Sequence, residues 1–344
     1  MIKVGIIGAT GYVGAELLRL LLNHPKVQVF KISSVSFIGE EISSIYKNFI
    51  NKTALICENA EEVLSNCDVL FTALPHGLSE EIAEKALSEN KLLIDLGADF
   101  RLSSESEYLR WYNKKFDKPN IHKYSVYGLP ELNKEKIKKS KLIANPGCYP
   151  TSIELALLPL LKNSLIHTSR IICDSKSGTT GAGRSLSLTS HYTEVNENFS
   201  PYKIGCHRHL PEIEETLNSI SKEKVKITFT PHLLPINRGI VSTIYLSPKN
   251  RINLIELRKI YLDFYKNEPF INILPLGDIA QIKQVRLSNY CNISLHLNHR
   301  EDELIIVSTI DNMIKGAAGQ AIQNMNLCLG FEETEGLNLI SPSF

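Results

Sequence analysis

Cys148 lies in the run Asn145-Pro146-Gly147-Cys148-Tyr149-Pro150-Thr151-Ser152, followed by the apolar Ile153, Leu155, Ala156, Leu157 and Leu158. Pro-Gly before the cysteine and a proline two residues after it describe a sharp turn opening a helix, with Pro150 near the first helical position. A thiol at a helix N-terminus meets unpaired N–H groups and the positive end of the macrodipole, which favour thiolate and can hold a developing oxyanion. The chemistry this permits is covalent catalysis by a cysteine nucleophile, which needs an acid/base partner of near-neutral pKa. Cys206-His207-Arg208-His209-Leu210-Pro211-Glu212-Ile213 offers two histidines. In an extended segment His207 and His209 share a face while Arg208 points elsewhere. No further ligands at suitable spacing accompany the pair, so no metal site is expected.

A second chemistry is written in Gly8-Ala9-Thr10-Gly11-Tyr12-Val13-Gly14, between an apolar run and a helical pattern. Glycines there allow a tight turn and close approach of a pyrophosphate, whose charge meets the N–H groups opening the helix. Where an NAD site usually places a carboxylate on the ribose, this chain has Ser33-Ser34-Val35-Ser36. Without that charge a 2′-phosphate is not repelled, and the hydroxyls of Ser34 and Ser36 can donate to it, so NADP is expected over NAD. Ser175 to Arg184 forms a third constellation, in which Gly178 and Gly181 let the backbone approach a ligand and Arg184 can grip an anion. It lacks the G-K-[ST] ending of a nucleoside-triphosphate loop.

The elements that must carry these residues follow from periodicity. Ile2 to Ile7 reads as a buried strand, Val13 to Leu22 as a helix ended by His24-Pro25, and Val27 to Ile32 as a second strand, together a βαβ unit. Asp68 to Ala73 (strand), Ser79 to Ser88 (helix) and Lys91 to Leu96 (strand) continue the alternation expected of a doubly wound parallel sheet. From about Thr168 the rhythm changes. Arg170 to Asp174, Val225 to Thr230, Ile240 to Leu246, Ile293 to Leu297 and Glu303 to Thr309 read as strands of an α+β domain, the last as its closing strand. Ile314 to Leu327 has a long helical pattern suited to returning to the first domain. The fold class expected is α/β: a Rossmann-type domain over 1–147, a catalytic and oligomerisation domain over 148–311, and a C-terminal helical segment over 312–344 packing back on the first.

At 344 residues, 43% hydrophobic and 22% charged, the chain suits about two globular domains. With 38 Lys+Arg against 37 Asp+Glu, the net charge of +1 gives no electrostatic case for nucleic acid or an anionic membrane, and the basic stretch Lys134 to Lys141 reads as a solvated face. The best apolar run, Leu17 to Leu22, is interrupted by Arg19 and far too short to cross a bilayer. The start Met-Ile-Lys-Val-Gly-Ile-Ile-Gly has no signal-peptide h-region, so a cytoplasmic location is expected. Seven scattered cysteines without C-x-x-C pairs suggest neither disulfides nor zinc, and the six besides Cys148 are expected as small buried hydrophobes.

Taken together these motifs resemble the N-acetyl-γ-glutamyl-phosphate reductases, NADP-dependent enzymes of arginine biosynthesis. The likeness spans the whole chain: GATGYVGAEL, then ALPHG (73–77), DLGADFRL (95–102), YGLPELN (127–133), NPGCYPTS (145–152), SGTTGAGR (177–184), HRHLPEI (207–213), PHLLPINRGI (231–240), SNYC (288–291) and KGAAGQAIQNMNL (315–327). The resemblance implies a fold like glyceraldehyde-3-phosphate and aspartate-semialdehyde dehydrogenases, a homodimer or homotetramer, and reduction of N-acetyl-γ-glutamyl phosphate to N-acetylglutamate 5-semialdehyde through a cysteine thioester. It makes Cys148 the nucleophile and one of His209 and His207 the acid/base, His209 preferred because it adjoins the helix start expected at Pro211-Glu212. It also implies cofactor contacts at Gly8, Thr10, Gly11, Tyr12, Val13, Gly14, Ser34, Ser36, Pro75, Ser177, Gly178, Gly181 and Asn312, the last near the nicotinamide amide. Substrate contacts fall on Arg101, Asn145, Arg184 and Arg208. Two positions depart from the family pattern: Val35 stands where an arginine would meet the 2′-phosphate, and Leu287 where a glycine precedes Ser288-Asn289. The nearest other readings are a lysine-pathway homologue or aspartate-semialdehyde dehydrogenase. A non-catalytic redox-sensing regulator is opposed by the intact NPGCYPTS and HRHLPEI segments.

Overall fold

The computed structural model describes residues 1–344 as two compact units, Met1–Pro146 with Ala317–Asn338, and Gly147–Gly316 with Leu339–Phe344. The first is built on a seven-stranded sheet of order β3-β2-β1-β4-β5-β7-β6, every pairing parallel. Its strands are β1 (Ile2–Ile7), β2 (Val27–Ser33), β3 (Cys57–Glu58), β4 (Val69–Thr72), β5 (Leu92–Asp95), β6 (Ser125–Tyr127) and β7 (Leu142–Ala144). A parallel sheet is covered by helices on both faces, so its central strands are apolar throughout rather than alternating. Every residue of β4 and β5 is buried accordingly. The helix Tyr12–Leu21 follows β1 with no side-chain cap at Gly11, leaving its first N–H groups to the turn.

The return to this unit is shorter than the expected 312–344 segment. A π-helical turn at Ile314–Ala318 leads into the helix Gly319–Leu329, while Asn312–Gly316 and Leu339–Phe344 belong to the second unit. That helix is buried nearly all round, and its Asn324 and Asn326 hydrogen-bond the Gly128 carbonyl and the His24 ring.

The second unit holds a mixed seven-stranded sheet, order β12-β13-β14-β11-β8-β10-β9. Its strands are β8 (Ile166–Ser177), β9 (Ser200–Pro201), β10 (Ile227–Leu233), β11 (Ile240–Pro248), β12 (Ile271–Ile273), β13 (Cys291–Leu297) and β14 (Leu304–Ile310). β14, expected to close the sheet, lies inside it between β13 and β11. The Cys148–Lys162 helix packs against this sheet, and its Ser152 hydroxyl reaches Ser242 on β11 at 2.9 Å. Pro159 within the helix has no N–H, which leaves the Leu155 carbonyl without its helical donor. The Tyr265 hydroxyl donates to that carbonyl at 2.5 Å, and Tyr261 to the neighbouring Ala156 carbonyl at 2.5 Å. A proline that would weaken an exposed helix is thus accommodated by Tyr265, which caps the Leu254–Phe264 helix and supplies the missing donor.

Candidate active site

Cys148 is the first residue of its fifteen-residue helix and is half-buried. Gly147 caps the helix in an extended conformation, and its N–H donates to Glu212 Oε1 at 2.7 Å. Glu212 is itself buried and belongs to the His209–Asn218 helix. His209 opens that helix and sits one turn before Glu212 on the same face, so one short element carries both the imidazole and the carboxylate that grips the cysteine turn. From the other side, a Cβ at Gly316 would lie 2.7 Å from Cys148 Cβ, so only glycine lets the π-turn pass the nucleophile.

The histidine segment is not extended as the sequence suggested. Arg208 adopts a helical conformation and the helix starts at His209, two residues before Pro211. His207 Nδ1 accepts the His209 N–H at 3.1 Å, and its ring is enclosed by Tyr149, Tyr202 and Phe229 at centroid distances of 5.6, 5.7 and 5.3 Å. Burial, with Lys203 and Arg208 adding repulsion, pulls its pKa down to about 3, so this imidazole stays neutral. Tyr202 donates to the Tyr149 hydroxyl at 3.1 Å, and burial pushes its phenol up to about 12. His207 thus packs among aromatic rings as a neutral imidazole, and both it and His209 remain acid/base candidates beside Tyr149, their ring centroids 5.6 and 6.0 Å from its own.

Asp311 organises the opposite rim, where its Oδ1 accepts from Met313 N–H (2.8 Å) and Ile314 N–H (3.1 Å), and its Oδ2 from Leu287 N–H (2.7 Å). Leu287 has φ 62, in the left-handed region that glycine adopts at no cost. Asn312 is buried and bridges two loops, accepting from Gly239 N–H at 2.8 Å and donating to Thr180 Oγ1 at 3.0 Å. Gly178 is pressed against Asn237, where a Cβ would fall 2.6 Å from the carbonyl oxygen. Ser177 is buried beside it, whereas Gly181 and Arg184 are exposed and Arg208 is half-buried.

In the first unit the three glycines of the amino-terminal turn divide their work. Gly8 has φ 90 and its absent Cβ would meet the Ala73 carbonyl at 2.5 Å, while a Cβ on Gly14 would lie 2.2 Å from the Gly8 carbonyl oxygen. Gly11 faces open space, its nearest neighbour the Gly8 oxygen at 3.6 Å. A turn held by its outer glycines and open at the middle one, beside uncapped N–H groups, fits a pyrophosphate. Tyr12 and Val13 begin the helix, and Pro75 is exposed in the turn after β4. Ser34 is buried and shares a 2.8 Å hydrogen bond with Thr10, leaving the exposed Ser36 as the available hydroxyl beside Val35, which is 91% exposed.

Arg101 and Asn145 are committed within this unit. Arg101 donates to the Asn145 and Leu96 carbonyls at 2.9 and 3.0 Å, and Asn145 donates to the Ala317 carbonyl and accepts from Asn324. Both brace the ends of β5 and β7. Asp95 and Asp99 went unnoticed in the sequence although they sit in DLGADFRL. Both are fully buried, and Asp99 accepts from Gly77 N–H (2.5 Å), Ser79 N–H (2.9 Å) and the Tyr108 hydroxyl (2.8 Å), fixing the ALPHG turn. Of the cysteines expected to be buried, Cys206 is exposed and Cys328 half-buried, because Cys206 lies in a surface turn. No helix is long and apolar enough to cross a membrane.

Residues 3–140 match the family model described as "Semialdehyde dehydrogenase, NAD binding domain", and residues 148–312 that described as "Semialdehyde dehydrogenase, dimerisation domain". Over the full length of both chains, the sequence is 71% identical to an N-acetyl-gamma-glutamyl-phosphate reductase of Clostridium beijerinckii and 56% identical to one of Clostridium kluyveri. The chain belongs to the N-acetyl-γ-glutamyl-phosphate reductase family. Membership of this reductase family makes it an oxidoreductase with a dinucleotide-binding domain. Its fold is shared with more distant proteins. An aspartate semialdehyde dehydrogenase II of Vibrio cholerae, complexed with ASA, superposes with a TM-score of 0.73 at 18% identity, covering 96% of this chain and 98% of that one. An aspartate semialdehyde dehydrogenase with NADP from Candida albicans gives 0.70 at 17% identity, covering 95% and 98%.

Proposed function

We propose that this chain reduces N-acetyl-γ-glutamyl phosphate to N-acetylglutamate 5-semialdehyde with release of phosphate, as a step of arginine biosynthesis. The observation that carries the chemistry is Cys148 at a helix start whose capping N–H is held by Glu212, one turn from His209. The substrate follows from full-length identity to reductases of that name.

His209 takes the Cys148 proton, and the thiolate attacks the acyl-phosphate carbonyl carbon, with the oxyanion held by N–H groups of the helix's first turn. The carbonyl re-forms as the carbon–oxygen bond to phosphate breaks, leaving inorganic phosphate and a Cys148 thioester. When bound, the nicotinamide dinucleotide supplies the hydride. After reduction the thiohemiacetal alkoxide collapses: the carbon–sulfur bond breaks, the aldehyde forms, and the Cys148 thiolate takes its proton back from His209. Gly8, Gly11 and Gly14 with Thr10, Tyr12, Val13, Ser34, Ser36 and Pro75 would hold the dinucleotide at the first unit, and Ser177, Gly178, Gly181 and Asn312 its nicotinamide end. Arg184 and Arg208 would supply positive charge for substrate carboxylate and phosphate, and Arg101 and Asn145 are the candidate substrate contacts of the first unit.

NADP is the proposed cofactor because the end of β2 has no carboxylate to repel a 2′-phosphate, and Ser36 offers an exposed donor. Without an arginine at Val35, discrimination against NAD is modest. The unit matching a dimerisation domain supports a homo-oligomer.

Absorbance of NADPH tests the reading in the reverse direction, with N-acetylglutamate semialdehyde, phosphate and NADP⁺, against aspartate semialdehyde and glyceraldehyde 3-phosphate and with NAD⁺. The expected result is phosphate-dependent NADPH formation with the acetylated substrate, abolished by Cys148→Ser while NADPH binding persists. Activity only with another aldehyde overturns the substrate, and substantial activity of the serine variant overturns the nucleophile.

A further inference from the structure

The turn that follows β4, Ala73-Leu74-Pro75-His76-Gly77, stands directly beside the amino-terminal glycine turn. The absent Cβ of Gly8 would lie 2.5 Å from the Ala73 carbonyl oxygen and 3.3 Å from Leu74 Cδ2. β1 pairs with β2 on one side and with β4 on the other, so the strand order reverses there and a crevice opens between the turns after β1 and β4. That is where a doubly wound sheet takes its ligand. The adenosine half of a dinucleotide lies toward the end of β2, which leaves the nicotinamide half toward the turn after β4.

What grips this turn comes from an excursion of the chain between β5 and β6. The excursion carries the helix Glu105–Tyr112, which Asn113 ends in the left-handed conformation at φ 54. The reversal brings Lys114 over the turn, where its ammonium donates to the Gly77 carbonyl at 2.6 Å and to Asp117 Oδ2 at 2.6 Å. Asp99 accepts the Gly77 N–H at 2.5 Å, so the two polar groups of one residue are held by side chains of opposite charge. Gly77 has φ 85, and a Cβ on it would fall 2.9 Å from Lys114 Nζ and 3.0 Å from Cδ, so a glycine is what lets the lysine come this close. The Tyr112 ring adds a third contact, 5.4 Å from that of the exposed His76. Charge-assisted hydrogen bonds are roughly twice as strong as neutral ones, and two of them on one residue fix its orientation.

We propose that Lys114 is a positioning residue for the dinucleotide, fixing through Gly77 the turn against which the nicotinamide half rests. It acts without touching the ligand. Once the ammonium is removed, the Gly77 carbonyl loses its charged donor and the turn samples conformations that do not fit the ligand, which lowers apparent affinity by the fraction of molecules left competent. The adenosine half lies beyond β1, away from this turn, and keeps its affinity. The inference rests on the dinucleotide site of the proposed reaction and is independent of the substrate.

Three variants of the whole protein test it. Lys114→Met keeps the aliphatic stem and removes the ammonium, Lys114→Arg keeps a charged donor, and Lys123→Met removes an exposed lysine of the same excursion as a control. The Lys114 side chain is 33% exposed, so the methionine variant is expected to fold, which circular dichroism checks. Titration calorimetry measures the reduced dinucleotide that the wild type binds, NADPH or NADH, and the adenosine half alone as adenosine 2′,5′-bisphosphate and as ADP. Lys114→Met is expected to bind the dinucleotide about tenfold more weakly, the effect of one lost charge-assisted hydrogen bond, and the adenosine half within about twofold of wild type. Lys114→Arg and Lys123→Met are expected within about threefold of wild type for both ligands. Unchanged dinucleotide binding by Lys114→Met overturns the proposal, as does an equal loss for both ligands or an unfolded variant, since either assigns the lysine to the fold. An arginine variant as weak as the methionine one overturns the role of the charge. A wild type that binds neither dinucleotide overturns the cofactor reading itself, and that failure is distinct from the others.

Discussion

Glu212 and Gly147 are 65 residues apart in sequence, yet the carboxylate of one accepts the backbone N–H of the other at 2.7 Å. The bond ties the turn that presents Cys148 to the helix that presents His209. Replacing Glu212 by alanine is expected to cost about 1–3 kcal/mol of stability, since a buried N–H loses its partner. It should also lower kcat on the order of a hundredfold, because misplacing a nucleophile by about 1 Å costs that much. Glu212→Gln keeps an acceptor and should retain most activity. Iodoacetamide alkylation of Cys148 checks the assignment independently of turnover: a rate that is equal in wild type and Glu212→Ala would remove the positioning role.

The two histidines are expected to behave differently. His207→Asn preserves an acceptor for the His209 N–H and removes a ring already held neutral, so kcat/KM should stay within about tenfold and its pH profile should keep its shape. His209→Asn should lower kcat by roughly 10²- to 10⁴-fold and erase the near-neutral limb of the profile. A depressed histidine pKa also means that His207 supports the fold above about pH 6.5, and that this support fades as pH falls toward 3. His207→Asn should thus weaken the acid dependence of the melting temperature between those values. The reverse pattern, with activity following His207, would exchange the roles.

Much of this was legible beforehand because the informative segments are long and periodic. β4 and β5 emerge from nearly uninterrupted apolar runs, β1 and β2 from apolar-rich segments on either side of the glycine turn and its helix, and the first helix from its 3.6-residue spacing. The strands that escaped, β3, β6, β7, β9 and β12, have only two or three residues, too few for any period to register. Cys148 could be read from its turn residues because proline and glycine report local conformation. Glu212, Asp99 and Asp311 could not, since their partners are backbone N–H groups, and a sequence does not show which amide a carboxylate will meet after folding.

Leu287 adopts the left-handed conformation with its N–H on Asp311. A β-carbon there costs about 1 kcal/mol. Removing the side chain also removes apolar contacts, so the informative comparison is Leu287→Gly against Leu287→Ala, which differ only by the β-carbon. The glycine variant should be the more stable of the two by about 1 kcal/mol in urea unfolding, reversing the order seen at ordinary positions. Equal stability would mean that the backbone relaxes away from φ 62.

Asp95 gives the first unit a pH dependence of its own. Its Oδ1 accepts from the Thr72 and Ser79 hydroxyls at 2.7 Å each and from Gly97 N–H at 3.1 Å, but the side chain is fully buried. Desolvation, reinforced by the nearby Asp99 carboxylate, pushes its pKa up to about 6 from an ordinary 3.8. The folded chain therefore holds this proton more tightly than the unfolded chain. Its contribution to stability is complete below about pH 4 and is lost as pH rises through 6. Asp95→Asn keeps an oxygen for all three donors and abolishes the titration. The melting temperature of the variant should match the wild type near pH 4.5 and exceed it at pH 8, with a flatter slope between. Because Asp95 and Asp99 sit behind the Gly77–Ser79 turn, the substitution should also leave cofactor affinity nearly constant across that range. A wild-type slope in the variant would place the titration elsewhere.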